Sequence, residues 1–289
     1  MATRARTGRA RRSGARAARG RRRAAARERS DLGARLIAAV PAIAVALFLV
    51  IEGGAVFALG LFAFGCVCMH ELSAMFERAH PVRLAGFLAL AGLLAAARYG
   101  DQYQVLLVAV SALPLLFMLT LLQRRPSLGG MLVTLLGVYW IGFALAHAVL
   151  LRDLPHGLGI VIDVLVGTFL GDTGAYLGGH LFGRRPLAPS ISPGKTVEGL
   201  VIGMACAVLG VWLAGRYQGW LPVSHSLVLG VGVALAAPVG DLFESFVKRE
   251  AGVKDSGSLF GAHGGALDRL DAVLFTAVTG YYIWAAYVH

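Results

Sequence analysis

Apolar runs of membrane-spanning length recur from about residue 35 to the end of the chain, and they constrain the fold more than any other feature. A helix needs about 20 mostly apolar residues to cross a bilayer. Composition agrees, since 57% of the residues are hydrophobic, 15% are charged and the mean hydropathy is +0.70. A soluble single-core domain and a disulfide scaffold are both excluded, because such apolar runs recur and the chain has only three cysteines. The pattern predicts an all-α, polytopic integral membrane protein.

The apolar stretches also predict the number of spans. They lie near 35–51, 54–70, 84–98, 104–122, 128–150, 157–171, 199–215, 223–240 and 267–288. We therefore expect about nine transmembrane helices, with eight or ten as the alternatives.

The first thirty residues differ sharply in charge from the rest of the chain. They hold twelve arginines and one acid, Glu28, whereas the remaining 259 residues balance fifteen cations against fifteen acids. Because alanine is almost their only apolar residue, residues 1–31 are predicted to be a disordered, arginine-rich cytoplasmic tail. We interpret the tail as a topology determinant with affinity for anionic lipid, and we expect no nucleic-acid partner.

The basic residues of the later connections support this orientation. With nine spans and the tail inside, three arginines fall outside: Arg98, Arg152 and Arg216. The other basic residues fall inside: Arg78, Arg83, Arg124, Arg125, Arg184, Arg185, Lys195, Lys248, Arg249 and Lys254. This positive-inside bias predicts a cytoplasmic N-terminus in a multi-pass protein, most simply of the inner (plasma) membrane.

Two long, glycine-rich segments on the cytoplasmic side, 171–199 and 240–271, carry most of the chemistry. All three lysines of a chain with 24 arginines lie in them, at Lys195, Lys248 and Lys254. Lysine is a compact point charge that suits phosphate, so this restriction indicates an anionic substrate. We therefore predict that 32–289 form a transmembrane catalytic domain with active-site loops 171–199 and 240–271, facing the cytoplasm.

Carboxylates in the second segment have helical spacing. Positions i, i+3, i+4 and i+7 of one face carry Asp241, Glu244, Ser245 and Lys248. Asp268 and Asp271 are likewise three residues apart. Neighbouring carboxylates are costly unless they bind a cation, and oxygen ligands beside phosphate favour Mg²⁺. The alternative is a solvated, charged helix start at the membrane surface. His70 and Glu71 are interpreted as residues that cap or anchor the end of a span.

Many of these residues belong to one fixed pattern, S-x-x-K-R-x4-K-D-x-G-x3-G-x-H-G-G-x-x-D-R-x-D, which runs from Ser245 to Asp271. It resembles the signature of the phosphatidate cytidylyltransferases, also called CDP-diacylglycerol synthases. Upstream stretches at 172–176, 182–184 and 192–199 resemble the same family. The resemblance covers roughly residues 165–275.

Four positions depart from what the family commonly has. Gly261 and Ala262 stand where proline and glycine are usual, and Gly194 and Val197 stand where a second lysine and an aromatic residue are usual. The charged positions of the 245–271 pattern are unchanged.

The resemblance implies transfer of a cytidylyl group from CTP to phosphatidic acid, giving CDP-diacylglycerol and pyrophosphate. It implies Mg²⁺ as cofactor, with a second cation left open, and CTP, phosphatidic acid and membrane lipid as partners. It also suggests a homodimer, and Gly199, Gly203 and Gly210 permit close helix packing.

The resemblance also implies roles for residues. Catalytic residues would be Ser245, Lys248, Asp268 and Asp271. Metal ligands would be Asp241, Asp268 and Asp271. Substrate-binding residues would be Asp172, Ser192, Lys195, Arg249, Lys254, His263, Gly264, Gly265 and Arg269. Within these sets, Ser245 and Lys248 would contact phosphate, and His263 would orient the short glycine-rich turn at 261–265.

Two alternatives remain open at this point. A CTP-dependent polyprenol or phytol kinase would release CDP, whereas a cytidylyltransferase releases pyrophosphate. An anion transporter that uses Asp163 and Asp172 as a proton relay is the less favoured alternative.

Overall fold

The computed structural model describes residue 41 and residues 43–257 and 264–288. The architecture below is that of the unit that begins at Leu49, which the helix starting at Ile43 enters with its last residues. The predicted tail, 1–31, and His263 lie outside the described residues.

Helices make up most of the described residues. In chain order they are α1 (Ile43–Glu52), α2 (Gly54–Met75), α3 (Arg83–Tyr99), α4 (Gln102–Leu121), α5 (Leu128–Gly137), α6 (Phe143–Asp153), α7 (Gly157–Phe182), α8 (Val197–Gly215), α9 (Val223–Glu250) and α10 (Leu267–Val288). A π-helical turn, Val138–Gly142, joins α5 to α6, and a 3-10 turn, Glu77–Ala79, follows α2.

Among the described helices, six segments are long and apolar enough to cross a membrane. They are Gly54–Met75, Gln102–Leu121, Leu128–Asp153, Gly157–Phe182, Val197–Gly215 and Val223–Glu250. The prediction of a helical protein with several membrane spans is confirmed, and the count of about nine spans stays a prediction. The helices α3 and α10 coincide with two further apolar stretches, and α1 covers the part of the stretch at 35–51 that lies in the described range from Ile43 onward.

The two ends of the helix bundle carry different charged groups. At one end, Arg98 Nη1 lies 3.5 Å from Asp153 Oδ2, and Arg152 donates hydrogen bonds to two carbonyls at the end of α1. Lys195 and Lys248 lie at the other end. The helix α7, which has 26 residues and is about 39 Å long, runs between the two ends. Arg98 and Arg152 therefore lie at the end of the bundle opposite Lys195 and Lys248.

Glycines bring α7 and α8 into close backbone contact. A Cβ added at Gly203 would lie 2.7 Å from the carbonyl oxygen of Gly171, and one added at Gly199 would lie 2.6 Å from that of Ala175. Gly199 and Gly203 therefore serve packing within the chain, and they lend no support to contact between two copies. The homodimer stays a prediction.

The close α7–α8 contact predicts a stability effect. Gly203→Ala should lower the apparent unfolding temperature of the detergent-solubilised protein, because overpacking a tight interface costs about 1–3 kcal/mol. Gly129→Ala is the matched control, since a Cβ there meets only ordinary contacts at 3.6 Å. Equal unfolding temperatures for the two variants would contradict the packing described here.

A short hairpin separates α7 from α8 and departs from the all-α prediction. Strands β1 (Pro186–Ala188) and β2 (Ser192–Thr196) pair antiparallel and are the only strands among the described residues. The Oγ1 of Thr196 then accepts the N–H of Gly199 at 3.1 Å and caps α8. The helix that follows covers the apolar stretch predicted at 199–215 and begins two residues earlier, directly after β2.

Both predicted active-site loops are partly helical. Residues 171–182 continue α7 and residues 240–250 continue α9, so the loops 171–199 and 240–271 begin later than the sequence indicated. The prediction took glycine as a sign of loop structure. In α7, however, Gly171, Gly174 and Gly178 are buried in the contact with α8, and a Cβ at any of them would collide with an α8 side chain or approach one closely.

Candidate active site

A cavity of about 460 Å³ lies between α7, α8, α9 and the hairpin. Its polar lining comprises Asp172, Tyr176, His180, Lys195, Thr196 and Asp241. Its apolar lining includes Leu187, Leu200, Met204, Ala207, Ala234, Ala237 and Pro238. The cavity is therefore amphipathic, with charged groups beside a wall of small and aliphatic side chains.

One ion pair joins the hairpin to α9 inside this cavity. Lys195 Nζ lies 2.5 Å from Asp241 Oδ2, and the two side chains are 27% and 33% exposed. Asp172, on α7, lines the same cavity. The structure thus brings together three residues that are far apart in the sequence and that the sequence assigned to the site.

A second lysine joins α9 to α10. Lys248 Nζ lies 2.6 Å from Glu244 Oε2 and 2.7 Å from Asp268 Oδ1, and only 13% of its side chain is exposed. One ammonium group therefore balances two carboxylates that are themselves 2% and 11% exposed. Removing such a partner leaves buried charge uncompensated.

The loop before α10 wraps around Asp268. Its Oδ2 accepts the N–H of Ser256 at 3.0 Å, the hydroxyl of Ser256 at 2.9 Å and the N–H of Gly265 at 2.7 Å. Gly264 adopts a φ of +80°, which favours glycine, and a Cβ there would collide with Asp268 Oδ2. Both glycines of the predicted turn therefore help to hold this carboxylate.

Three carboxylates form a second group next to the lysine network. Oxygen atoms of Asp241, Glu244 and Asp271 all lie within 4.8 Å of one another. Gly240 permits this proximity, because a Cβ there would lie 2.5 Å from the carbonyl oxygen of Asp271. At an effective dielectric constant near 20, each pair of ionised carboxylates at this distance repels by roughly 3 kcal/mol. Lys195 and Lys248 offset part of this repulsion, at Asp241 and at Glu244, and a bound cation would offset more of it.

The donor chemistry of this carboxylate cluster, Asp241, Glu244 and Asp271, fits a hard divalent cation. All its ligand atoms are oxygens, the donor type that Mg²⁺ prefers. Glu244 Oε1 is buried and accepts no hydrogen bond from a described residue. A cation would satisfy that oxygen and offset the repulsion.

The cluster differs by one residue from the metal set predicted from the sequence. Asp241 and Asp271 belong to it, whereas Asp268 has both oxygens engaged by Lys248 and by the loop. Glu244 takes the third place. The helical spacing had placed Glu244 on the correct face, although no role was assigned to it.

The other predicted site residues lie around this core. Arg249 donates to the carbonyls of Ile191 at 3.1 Å and Val253 at 3.3 Å, so its guanidinium links the hairpin turn to the end of α9. The remaining four are half-buried Ser245 on α9, half-buried Ser192 on β2, exposed Lys254 and exposed Arg269.

Sequence reasoning missed the part that Glu71 plays. This residue lies in the last turns of α2, is 6% exposed, and accepts the N–H groups of Ala266 and Leu267 at 3.0 Å each. It does act as an anchor, but for the start of α10 and not for the end of its own helix. An acidic residue in an otherwise apolar span was the available signal.

Comparison with known proteins identifies the family. The model of the cytidylyltransferase family matches residues 33–287. The chain belongs to this family. A phosphatidate cytidylyltransferase of Bacillus subtilis is 33% identical over 270 residues, covering 89% of this chain and 99% of the relative. One of Staphylococcus epidermidis is 32% identical over 256 residues, covering 83% and 94%. One of Mycobacterium leprae is 40% identical over 147 residues, covering 49% and 46%. The resemblance found in the sequence is confirmed.

Proposed function

We propose that this chain transfers the cytidylyl group of CTP to phosphatidic acid, producing CDP-diacylglycerol and pyrophosphate. The observation that carries the proposal is the position of Asp241, which belongs both to the amphipathic cavity and to the carboxylate cluster. A lipid phosphate needs an apolar wall for its chains and charged groups for its head. A nucleoside triphosphate needs cations. The cavity suits the lipid, the carboxylate cluster suits the cation that binds the triphosphate, and Asp241 belongs to both.

Mg²⁺ is the proposed cofactor, held by Asp241, Glu244 and Asp271, and a second cation stays open. The chemistry that Mg²⁺ supplies when bound is neutralisation of charge on the triphosphate and on the departing pyrophosphate. Asp268 is proposed to act by holding Lys248 and the loop in place, because both of its oxygens are engaged.

The chain's own residues position two anionic reactants. An oxygen of the lipid phosphate attacks the α-phosphorus of CTP in line, and the bond to the bridging oxygen breaks as pyrophosphate leaves with its electron pair. The phosphate monoester is already an oxyanion near neutral pH, so no general base is required. Lys195 and Lys248 offer ammonium groups to phosphate oxygens, and Ser245 offers a hydroxyl.

The outer residues are proposed to complete substrate binding. They are Asp172, Ser192, Arg249, Lys254, His263, Gly264, Gly265 and Arg269. Arg249 acts in part by holding the hairpin that carries Lys195, because it bonds the carbonyl of Ile191.

The membrane arrangement is also a proposal. We propose nine spans with a cytoplasmic N-terminus in the inner (plasma) membrane, a cytoplasmic active site and a homodimer. Two findings support the topology. The helices α3 and α10 coincide with two further apolar stretches, and Lys195 and Lys248 lie at one end of the bundle while Arg98 and Arg152 lie at the other.

The transporter alternative lacks structural support. Asp163 precedes Asp172 by nine residues on α7, which separates them by about 13 Å along the helix axis. Asp163 is fully buried and accepts a hydrogen bond from Gln218 at 2.7 Å. That pair lies outside the cavity, so the two acids form no short relay.

Product analysis with the purified protein in detergent tests the proposed function. Pyrophosphate release from CTP should require both phosphatidic acid and Mg²⁺, should stop when a chelator removes the metal, and should return when Mg²⁺ is restored. Formation of CDP with a polyprenol acceptor would replace the proposal by the kinase alternative. CTP that is untouched under all conditions would overturn it.

A further inference from the structure

Glu71 connects α2 to the catalytic loop from outside the family signature. Its carboxylate accepts two hydrogen bonds, from the N–H groups of Ala266 and Leu267, and its Oε2 also lies 3.1 Å from the hydroxyl oxygen of Ser256. These partners are 185 to 196 residues away in the chain. The first N–H groups of a helix have no partner within it, so a buried carboxylate there fixes where α10 begins.

The Glu71 carboxylate occupies the space that a side chain would need at two glycines of the signature. A Cβ added at Gly257 would lie 2.5 Å from Glu71 Oε1 and 2.8 Å from its Cδ. A Cβ added at Gly265 would also lie 2.5 Å from Glu71 Oε1. Neither glycine has a positive φ. Space for Glu71 therefore accounts for glycine at position 257, and space for Glu71 together with the Ser256 hydroxyl accounts for it at position 265.

The hydroxyl of Ser256 lies between two carboxylates. It is 3.1 Å from Glu71 Oε2 and 2.9 Å from Asp268 Oδ2. Asp268 in turn pairs with Lys248 at 2.7 Å. Close polar contacts thus lead from Glu71 on α2 through Ser256 and Asp268 to Lys248 on α9, and the one hydroxyl proton of Ser256 is shared between the two carboxylates. A shift of the Glu71 carboxylate would therefore displace Lys248 through Ser256 and Asp268.

We infer that Glu71 is a positioning residue of the active site: it fixes the start of α10 and the loop at 254–257, and thereby sets the placement of Asp268 and Asp271. This inference rests on the proposed assignment of those two aspartates to the reaction. Asp271 lies one turn beyond Asp268 on α10, so a shift of the helix start displaces both. Displacement by about 1 Å can cost on the order of a hundredfold in rate.

Kinetics of Glu71 variants test the inference. Glu71→Ala should lower kcat by roughly tenfold to a hundredfold and raise the Mg²⁺ concentration needed for half-maximal rate. Glu71→Gln keeps one acceptor oxygen, so it should lie between Glu71→Ala and wild type. The shift in Mg²⁺ dependence separates positioning from a simple loss of folded protein, which would scale the rate without moving that concentration.

A matched control removes the same charge elsewhere. Glu77 is six residues further along, and its side chain is 76% exposed. Glu77→Gln should leave both kcat and the Mg²⁺ dependence at wild-type values.

A double-mutant cycle tests the contact directly. Gly257→Ala should lower kcat by roughly tenfold in the wild-type background, because the added methyl displaces the Glu71 carboxylate. In the Glu71→Ala background the space is vacated, so adding Gly257→Ala should have little further effect. Gly219→Ala, where a Cβ meets nothing within 4 Å, is the control for the substitution itself.

The outcomes separate this inference from the proposed function. If Asp271→Asn is inactive while folded Glu71→Ala keeps wild-type kcat and Mg²⁺ dependence, the inference is overturned and the proposed site stands. Additive effects of Gly257→Ala and Glu71→Ala would also overturn it. Full activity in Asp271→Asn would instead remove the proposed site itself.

Discussion

Asp271→Asn is expected to lower the rate of CTP-dependent pyrophosphate release by at least about a hundredfold. Asp271 is one of three carboxylates whose oxygens lie within 4.8 Å, and it is the one that α10 contributes to that group. Asparagine keeps the shape but removes the charge, so the attraction for a divalent cation falls while packing changes little. The loss should appear mainly in kcat and in Mg²⁺ dependence, measured in detergent with saturating phosphatidic acid.

The same substitution at the other end of the bundle is the control. Asp153 pairs with Arg98 at 3.5 Å, far from the cavity, and Asp153→Asn should keep the wild-type rate. A small effect of Asp271→Asn, comparable to that of Asp153→Asn, would show that the carboxylate cluster is not the reaction centre.

Lys248→Met should be the most destabilising single change at the site. It leaves Glu244 and Asp268 without the ammonium group that lies 2.6 and 2.7 Å from them, and both carboxylates are almost fully buried. Breaking such a buried pair from one side costs about 3–5 kcal/mol. We expect a marked fall in the apparent unfolding temperature in detergent, together with loss of pyrophosphate release.

Lys254→Met provides the comparison for stability, because Lys254 is exposed. Its unfolding temperature should stay close to that of the wild type. If Lys248→Met melted at the same temperature as Lys254→Met, the network between α9 and α10 would not contribute to stability as described.

The positions of most helices could be predicted, because the length of an apolar stretch can be read directly from the local sequence. Each apolar stretch of the sequence that falls among the described residues coincides with a helix. The exact helix ends could not be predicted. Glycines such as Gly174 and Gly178 read as loop formers in the sequence, and only the partner helix shows that they serve close packing.

The residues of the candidate site that lie within one segment of the chain could be predicted. The contacts between segments that are distant in the sequence could not. Spacing within 241–271 placed Asp241, Glu244 and Lys248 on one face, as the structure has them. The position of Glu71 depends on contacts with residues more than 180 positions away, and no local pattern encodes such contacts. The engagement of both Asp268 oxygens likewise depends on the path of the loop, which spacing alone does not reveal.

The most direct test of cytidylyl transfer is to follow the α- and γ-phosphorus atoms of CTP into the products. CTP radiolabelled at the α-phosphate, and separately at the γ-phosphate, would be incubated with the purified protein, Mg²⁺ and phosphatidic acid, and label in the organic extract would be counted. The account predicts that α-label enters the lipid fraction while γ-label stays in water as pyrophosphate. Transfer of γ-label to a lipid acceptor, or no transfer of either label, would contradict it.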